Sequence, residues 1–141
     1  MNKTKRQHRQ RGFSLIELIV VLVILGLLAT VVGPTVIERL GQGKRNIAQV
    51  QIEELSGALD LYRFDVGRYP TTSEGLEALL DENGVQNWNG PYLNKENLPK
   101  DPWGNPYEYR SPGDHGSFDL WSLGADGREG GEDDNADVVS W

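Results

Sequence analysis

Apolar residues along this chain follow two different rhythms. From Leu18 to Ile37 there are twenty consecutive uncharged residues, dominated by Leu, Val and Ile. As a helix rising roughly 1.5 Å per residue, this run spans about 30 Å, the thickness of a bilayer's hydrocarbon core. After Gly41-Gln42-Gly43 the pattern becomes amphipathic. Ala48, Ile52, Leu55, Leu59 and Tyr62 recur at alternating four- and three-residue steps and define one apolar stripe. Gln49, Gln51, Glu53, Glu54 and Asp60 fall on wetter faces. Together the two runs predict one long helix ending near Gly67. It should bend at Gly33-Pro34, because an interior proline removes a backbone hydrogen bond and clashes with the preceding turn, at a cost of roughly 3 kcal/mol.

Past that helix the pattern shortens. Arg68-Tyr69-Pro70 breaks it, and Thr71-Thr72-Ser73-Glu74 has the form of a capping box. A short helix carrying Leu76, Leu79 and Leu80 should come next, to about Asp81. Asn87-Trp88-Asn89-Gly90-Pro91-Tyr92-Leu93 mixes turn residues with aromatics and predicts a loop folded over the core. Asp101-Pro102-Trp103-Gly104-Asn105-Pro106 is a second turn-rich stretch. Tyr107–Arg110 and Phe118–Leu123 are strand candidates, joined as a hairpin by the long loop 111–117. The expected class is α+β: a long N-terminal helix on a small head with short helices and a small antiparallel sheet.

At 141 residues the chain has room for one small domain beside its apolar run. Its formal charge of −7 conceals an asymmetry. Lys3, Lys5, Arg6, Arg9 and Arg11 crowd the first twelve residues, which hold no acid. The remainder carries nine basic against 21 acidic residues, a net of −12. So acidic a body excludes nucleic acid as a partner, since phosphates must be met by Lys and Arg. The basic cluster should stay cytoplasmic, which puts everything after Glu38 across the membrane. The apolar core is too long for an ordinary cleaved signal peptide, and the nearest small-x-small pattern, Gly41-Gln42-Gly43, lies beyond Glu38-Arg39. Hydropathy alone fits a simple signal anchor.

An anchor does not explain Glu17, an acid among Phe13, Leu15, Ile16, Leu18 and Ile19. It either reaches headgroup water or awaits a cationic partner. The segment Gly12-Phe13-Ser14-Leu15-Ile16-Glu17, in register with a basic leader and an apolar run, resembles the class III leader of type IV pilins and pseudopilins. Ser14 stands where Thr is more often found. The resemblance implies that a prepilin peptidase cuts between Gly12 and Phe13 on the cytoplasmic side and methylates the new N-terminus at Phe13. The new ammonium would lie four residues from Glu17. If neighbouring subunits stagger by about that distance, one ammonium neutralises the next subunit's Glu17. Losing either partner of such a buried pair costs on the order of 3–5 kcal/mol. Pro34 occupies a position where relatives of this family also carry proline, in a segment thought to unwind on assembly.

From Arg68 onward the chain resembles the major pseudopilin subgroup of type II secretion systems. The resemblance is carried by Arg68-Tyr69-Pro70-Thr71-Thr72, Gly75-Leu76, Gly90-Pro91-Tyr92, Asp101-Pro102-Trp103-Gly104-Asn105-Pro106-Tyr107 and Leu123-Gly124-Ala125-Asp126-Gly127. It implies a cytoplasmic leader (1–12), a transmembrane and filament-core helix half (13–40) and a periplasmic head (41–141). Residues 123–137 hold Asp126, Glu129, Glu132, Asp133, Asp134 and Asp137 against Arg128 alone. On composition a solvated acidic tail is the simpler reading, and the order does not fit an EF-hand. If the loop folds, crowded carboxylates call for a hard cation. Val138-Val139 and Trp141 look able to pack the chain end onto the head and close the loop. The resemblance implies Ca2+ held by Asp126, Asp133 and Asp134 side chains and by the Leu123 and Gly131 carbonyls. The metal would stand in for the disulfide that many pilins use, since this chain has no cysteine.

The function implied is structural and not enzymatic. Processed subunits would leave the inner membrane and polymerise into a periplasmic pseudopilus with minor pseudopilins. An inner-membrane assembly platform and its cytoplasmic ATPase would drive growth, exporting folded proteins across the outer membrane. The nearest alternative is a type IV pilin of an adhesion or motility filament. A membrane-anchored enzyme lacks a nucleophile–base–orienter set, because His115 sits in a glycine-rich turn. A free-standing calcium-binding protein would leave the leader unexplained.

Overall fold

A computed structural model of the chain describes residues 12–141, so the predicted leader lies outside the described residues apart from Gly12. Helix α1 runs Leu15–Val66. Two compact units divide between Glu38 and Arg39.

In the first unit, none of the large apolar side chains from Phe13 to Ile37 is buried. The run is long and apolar enough to cross a membrane by length and composition. Helical backbone satisfies its own polar groups, which is what a lipid-facing segment requires. The Thr30 hydroxyl behaves likewise, donating to the Leu27 carbonyl at 2.7 Å. Pro34 lies inside α1, which continues through it, so the proline does not end or divide the helix as an assigned element.

In the second unit, α1 turns the predicted stripe inward. Ala48, Ile52, Leu55, Leu59 and Tyr62 are all buried. Around them gather Leu76, Leu79, Leu93, Tyr107, Leu120 and Val138, with Trp88, Tyr92 and Trp103 partly buried against the cluster. Each fully buried Leu or Ile contributes about 1.5–3 kcal/mol before entropy is counted. Polar ties flank this core. Tyr69 donates to Asp60 at 2.8 Å and Tyr92 to Asp65 at 2.9 Å, and the Trp88 indole N–H donates to the Ala78 carbonyl at 2.8 Å. The loop 87–93 thus covers the core, as its aromatics predict.

The Thr71–Glu74 box forms reciprocally, Thr71 N–H to Glu74 at 2.6 Å and Glu74 N–H to Thr71 Oγ1 at 3.2 Å. The next element is a 3₁₀ turn, Leu76–Leu79, and not the predicted α-helix. Gly75, at φ 64°, stands between box and turn, so the box closes its own loop. The hairpin forms between β1 (Glu108–Arg110) and β2 (Asp119–Ser122), with Tyr109 opposite Leu120. A third strand, β3 (Val138–Val139), pairs antiparallel with β2 and gives the order β1-β2-β3. The chain end therefore returns to the head through backbone hydrogen bonds, Ser140 N–H to the Leu120 carbonyl at 2.9 Å among them.

Candidate functional site

Two places gather the residues that chemistry singles out: the start of α1 and the acidic loop between β2 and β3. Gly12 and Phe13 precede the helix, exposed and outside regular structure, so the Gly12–Phe13 peptide bond is accessible. Ser14 is the last residue before α1. Its hydroxyl accepts from Glu17 N–H at 3.2 Å, and the Glu17 carboxylate accepts from Ser14 N–H at 3.0 Å. Glu17 therefore closes a capping box and lies at the positive end of the helix dipole. Sequence reasoning missed this partner although Ser-x-x-Glu is the same pattern recognised at Thr71. The carboxylate is not stranded within a single chain; it has a local donor that any neighbour's ammonium must outcompete.

The acidic loop is built on backbone geometry. Gly124 and Gly131 take φ of 68° and 95°, where a side chain would also collide with the carbonyl region of Asn135. Ala125 N–H donates to the Asp134 carbonyl at 2.9 Å, which ties the two arms together. Arg45, on α1, donates to the carbonyls of Asp133 at 3.0 Å and Ala136 at 2.8 Å. The Asp134 carboxylate lies over Gly41, where a Cβ would overlap it. At the loop's entry, buried Asp101 accepts from Trp103 and Asn105 N–H groups and from the Ser122 hydroxyl at 2.6 Å. Asn105 in turn donates to the Gly124 carbonyl at 3.2 Å. Gly41, Arg45, Asp101 and Asn105 shape the loop from a distance in sequence, with Ser122 at its edge, and no local pattern tied them to it.

Of the predicted ligands, Asp126 accepts from Arg128 N–H at 3.1 Å, and Asp133 opens a 3₁₀ turn, Asp133–Asn135, at φ 52°. Leu123 lies just past β2, and Gly131 precedes the 3₁₀ turn. Among the described residues, no three acidic or histidine side chains converge in a geometry that could hold a metal. The loop does carry an orphan: Asp137 Oδ1 is buried without a donor, while its Oδ2 accepts from Gly130 N–H at 3.0 Å. An unpaired buried carboxylate oxygen is what a cation would satisfy.

The same strand pair carries a second buried carboxylate, Asp119 at the start of β2. It accepts from Asp114 N–H at 2.8 Å, His115 N–H at 3.2 Å and the His115 ring at 3.1 Å, with Arg110 at 3.4 Å. Burial pushes its carboxyl up, but the hydrogen bonds from Asp114 and His115 outweigh this and hold it below the ordinary carboxylate range. His115 is occupied structurally, its ring stacked 4.0 Å from that of Trp141.

Known proteins are similar to this chain in sequence and fold. A family described as type II secretion system (T2SS), protein G, matches residues 35–141, and one described as the prokaryotic N-terminal methylation motif matches residues 7–33. The chain belongs to the type II secretion system protein G family. The type II secretion system core protein G of Pseudomonas aeruginosa is 50% identical, over 96% of this chain and 98% of that protein. The core protein G of Vibrio cholerae is 45% identical, over 97% and 95%. Among solved structures, the major pseudopilin of the type 2 secretion system of enterohaemorrhagic Escherichia coli superposes with a TM-score of 0.61 at 34% identity, covering 71% of this chain and 88% of that one. The pilin-like α+β fold expected from the sequence is the fold observed.

Proposed function

We propose that this chain is the structural subunit of a type II secretion pseudopilus, made as a membrane-anchored precursor and polymerised outside the cytoplasm. The observation that carries the reading is the register of three features. An accessible Gly12–Phe13 bond, a carboxylate four residues on and an unburied apolar helix run stand in front of a head of the protein G family. Cleavage frees an amine at Phe13, which methylation keeps cationic. In the filament, one subunit's amine takes Glu17 of another, replacing the Ser14 contact with an ion pair in a low-dielectric core. The basic leader orients every precursor the same way, with the head in the periplasm. Minor pseudopilins, the platform protein and its ATPase are the partners this assembly would need. Secretion then results from filament growth, without turnover chemistry in this chain.

In this reading the acidic loop takes Ca2+ through Asp126, Asp133 and Asp134, with the Leu123 and Gly131 carbonyls. A bound cation would neutralise like charges crowded between β2 and β3 and add stability by mass action. Support comes from the glycine-shaped loop and the unpaired Asp137 oxygen. Mass spectrometry of the chain from cells making the prepilin peptidase tests the central claim, since a mature N-terminus at methylated Phe13 is expected. A chain retaining its leader, or cut beyond the apolar run, overturns it. Glu17→Gln should still insert and be cleaved yet assemble at least tenfold less filament; wild-type yields from that variant would refute the amine–carboxylate pair.

A further inference from the structure

Two asparagines in this chain precede glycine, at Asn83-Gly84 and Asn89-Gly90. That order of residue types carries chemistry of its own. The main-chain nitrogen after an asparagine can close a five-membered ring on the side-chain amide carbon, and glycine puts no Cβ in the way. Closure asks two things of the fold: room for the nitrogen to reach that carbon, and a backbone free to turn towards it.

The structure treats the two sites oppositely. Asn83 and Gly84 are exposed, at the centre of a turn that Val85 N–H closes on the Glu82 carbonyl at 2.9 Å. Both have positive φ, 45° and 77°, the backbone that Asn-Gly favours in tight turns. Among the described residues no backbone carbonyl accepts from Gly84 N–H, and a Cβ placed on Gly84 would meet nothing within 4 Å. A turn closed by one surface hydrogen bond opens at little cost. Gly90 is instead wedged between aromatics, where a Cβ would lie 2.5 Å from the Trp88 ring and 2.9 Å from that of Tyr92. Both rings are tied down. Trp88 donates to the Ala78 carbonyl at 2.8 Å, and Tyr92 donates from its N–H to the Leu79 carbonyl at 2.8 Å and from its hydroxyl to Asp65 at 2.9 Å. Asn89 N–H donates to the Tyr92 hydroxyl at 3.0 Å. Rotating the Gly90 peptide would dismantle that packing.

We propose that Asn83 is a site of spontaneous deamidation in the folded chain and that Asn89 is protected from it. The Gly84 nitrogen loses its proton to solvent base and attacks Cγ of Asn83. An N–C bond forms, the Cγ–Nδ2 bond breaks, and Nδ2 takes up a proton and leaves as ammonia. Water then adds to either carbonyl of the cyclic imide and breaks its bond to the ring nitrogen, with no oxidant or reductant involved. One opening leaves an aspartate at position 83; the other leaves an isoaspartate, whose main chain runs through the side-chain carbon. Either product adds a negative charge beside Asp81 and Glu82. The isoaspartate also lengthens the turn that seats Val85 against the core.

Trypsin releases Tyr69–Lys95, which holds both sites, so each chain carries its own control. Full-length wild type in detergent is aged at neutral and mildly alkaline pH, native and in urea, then digested and sequenced by mass spectrometry with an unaged sample as the blank. The native chain should convert at Asn83 about tenfold or more faster than at Asn89, which waits on local opening, and urea should bring the two rates together. Conversion should rise with pH, and ageing in oxygen-18 water should place one heavy oxygen in each product. Asn83→Gln, which would have to close a six-membered ring, should keep the wild-type thermal midpoint and lose the acidic variant that ageing produces on anion exchange. Equal rates at the two sites in the native chain, or a faster Asn89, overturn the choice between them. Conversion of Asn83 only in urea shows that the turn protects it and overturns the proposal, as does no conversion in either condition.

Discussion

Replacing Asp119 with Asn keeps the size of the side chain and removes its charge from the centre of the β1–β2 connection. The wild-type carboxylate is fully buried and takes three hydrogen bonds from Asp114 and His115, with Arg110 at 3.4 Å. A hydrogen bond to a charged group contributes about 1.5–3 kcal/mol, and a buried donor left unpaired costs about 1–3 kcal/mol. Asn retains one acceptor but turns an amide NH2 towards the remaining donors, so one or two contacts fail. Relief of burying a charge offsets part of that loss, leaving a net destabilisation of about 2–3 kcal/mol. For a unit spanning Arg39 to Trp141 this lowers the thermal midpoint by about 10–20 °C. Circular dichroism melting of the full chain in detergent at pH 7 measures it. The acid limb gives a second check. A carboxyl held below its ordinary value of 3.8 stabilises the fold above that value and ceases to as pH falls through its folded value. The gap between wild type and Asp119→Asn should therefore narrow below about pH 4. A midpoint within about 3 °C of wild type, against the shift expected from that energy, would refute the assignment of Asp119 as organiser of the loop.

Other consequences are local. Gly41→Ala places a methyl where the Asp134 carboxylate lies, so it should weaken the rise in melting temperature proposed for added calcium, and a wild-type calcium response would refute the placement. Arg68→Ala frees Glu74, which the Arg68 hydrogen bonds hold at about 2, against an ordinary 4.5. In the variant the Glu74 titration monitored by NMR should return towards its ordinary value. Stability should change by no more than about 1 kcal/mol, because the pair is partly exposed, in full above the ordinary 4.5 and lost as pH falls towards the folded value of about 2. Chelation should lower the melting temperature of wild type more than that of Asp133→Asn/Asp134→Asn; equal losses would argue against calcium in the loop.

What could be read from the chain alone was whatever a short stretch encodes within itself. The stripe from Ala48 to Tyr62 is periodic, so spacing alone foretold its burial. The Thr71–Glu74 box closes over three residues, as does the Ser14–Glu17 box that sequence reasoning passed over. The basic leader, the Gly12–Phe13 bond proposed as the cleavage site and the apolar run also stand in linear order, because they are laid out along one continuous segment. Tertiary structure decided the rest, because those contacts join residues far apart in the chain. Val138–Val139 is too short to announce a strand and becomes one by pairing with β2. Gly75 stops the segment after the box from becoming an α-helix. Asp119 breaks the in-out alternation of its strand because a loop brings N–H groups to it, and Ser122 is polar on the buried face because Asp101 accepts its hydroxyl. Arg45 and Gly41 serve the acidic loop about ninety residues away. Periodicity says that a helix has apolar sides, and only the packed head says which of them is still without a partner.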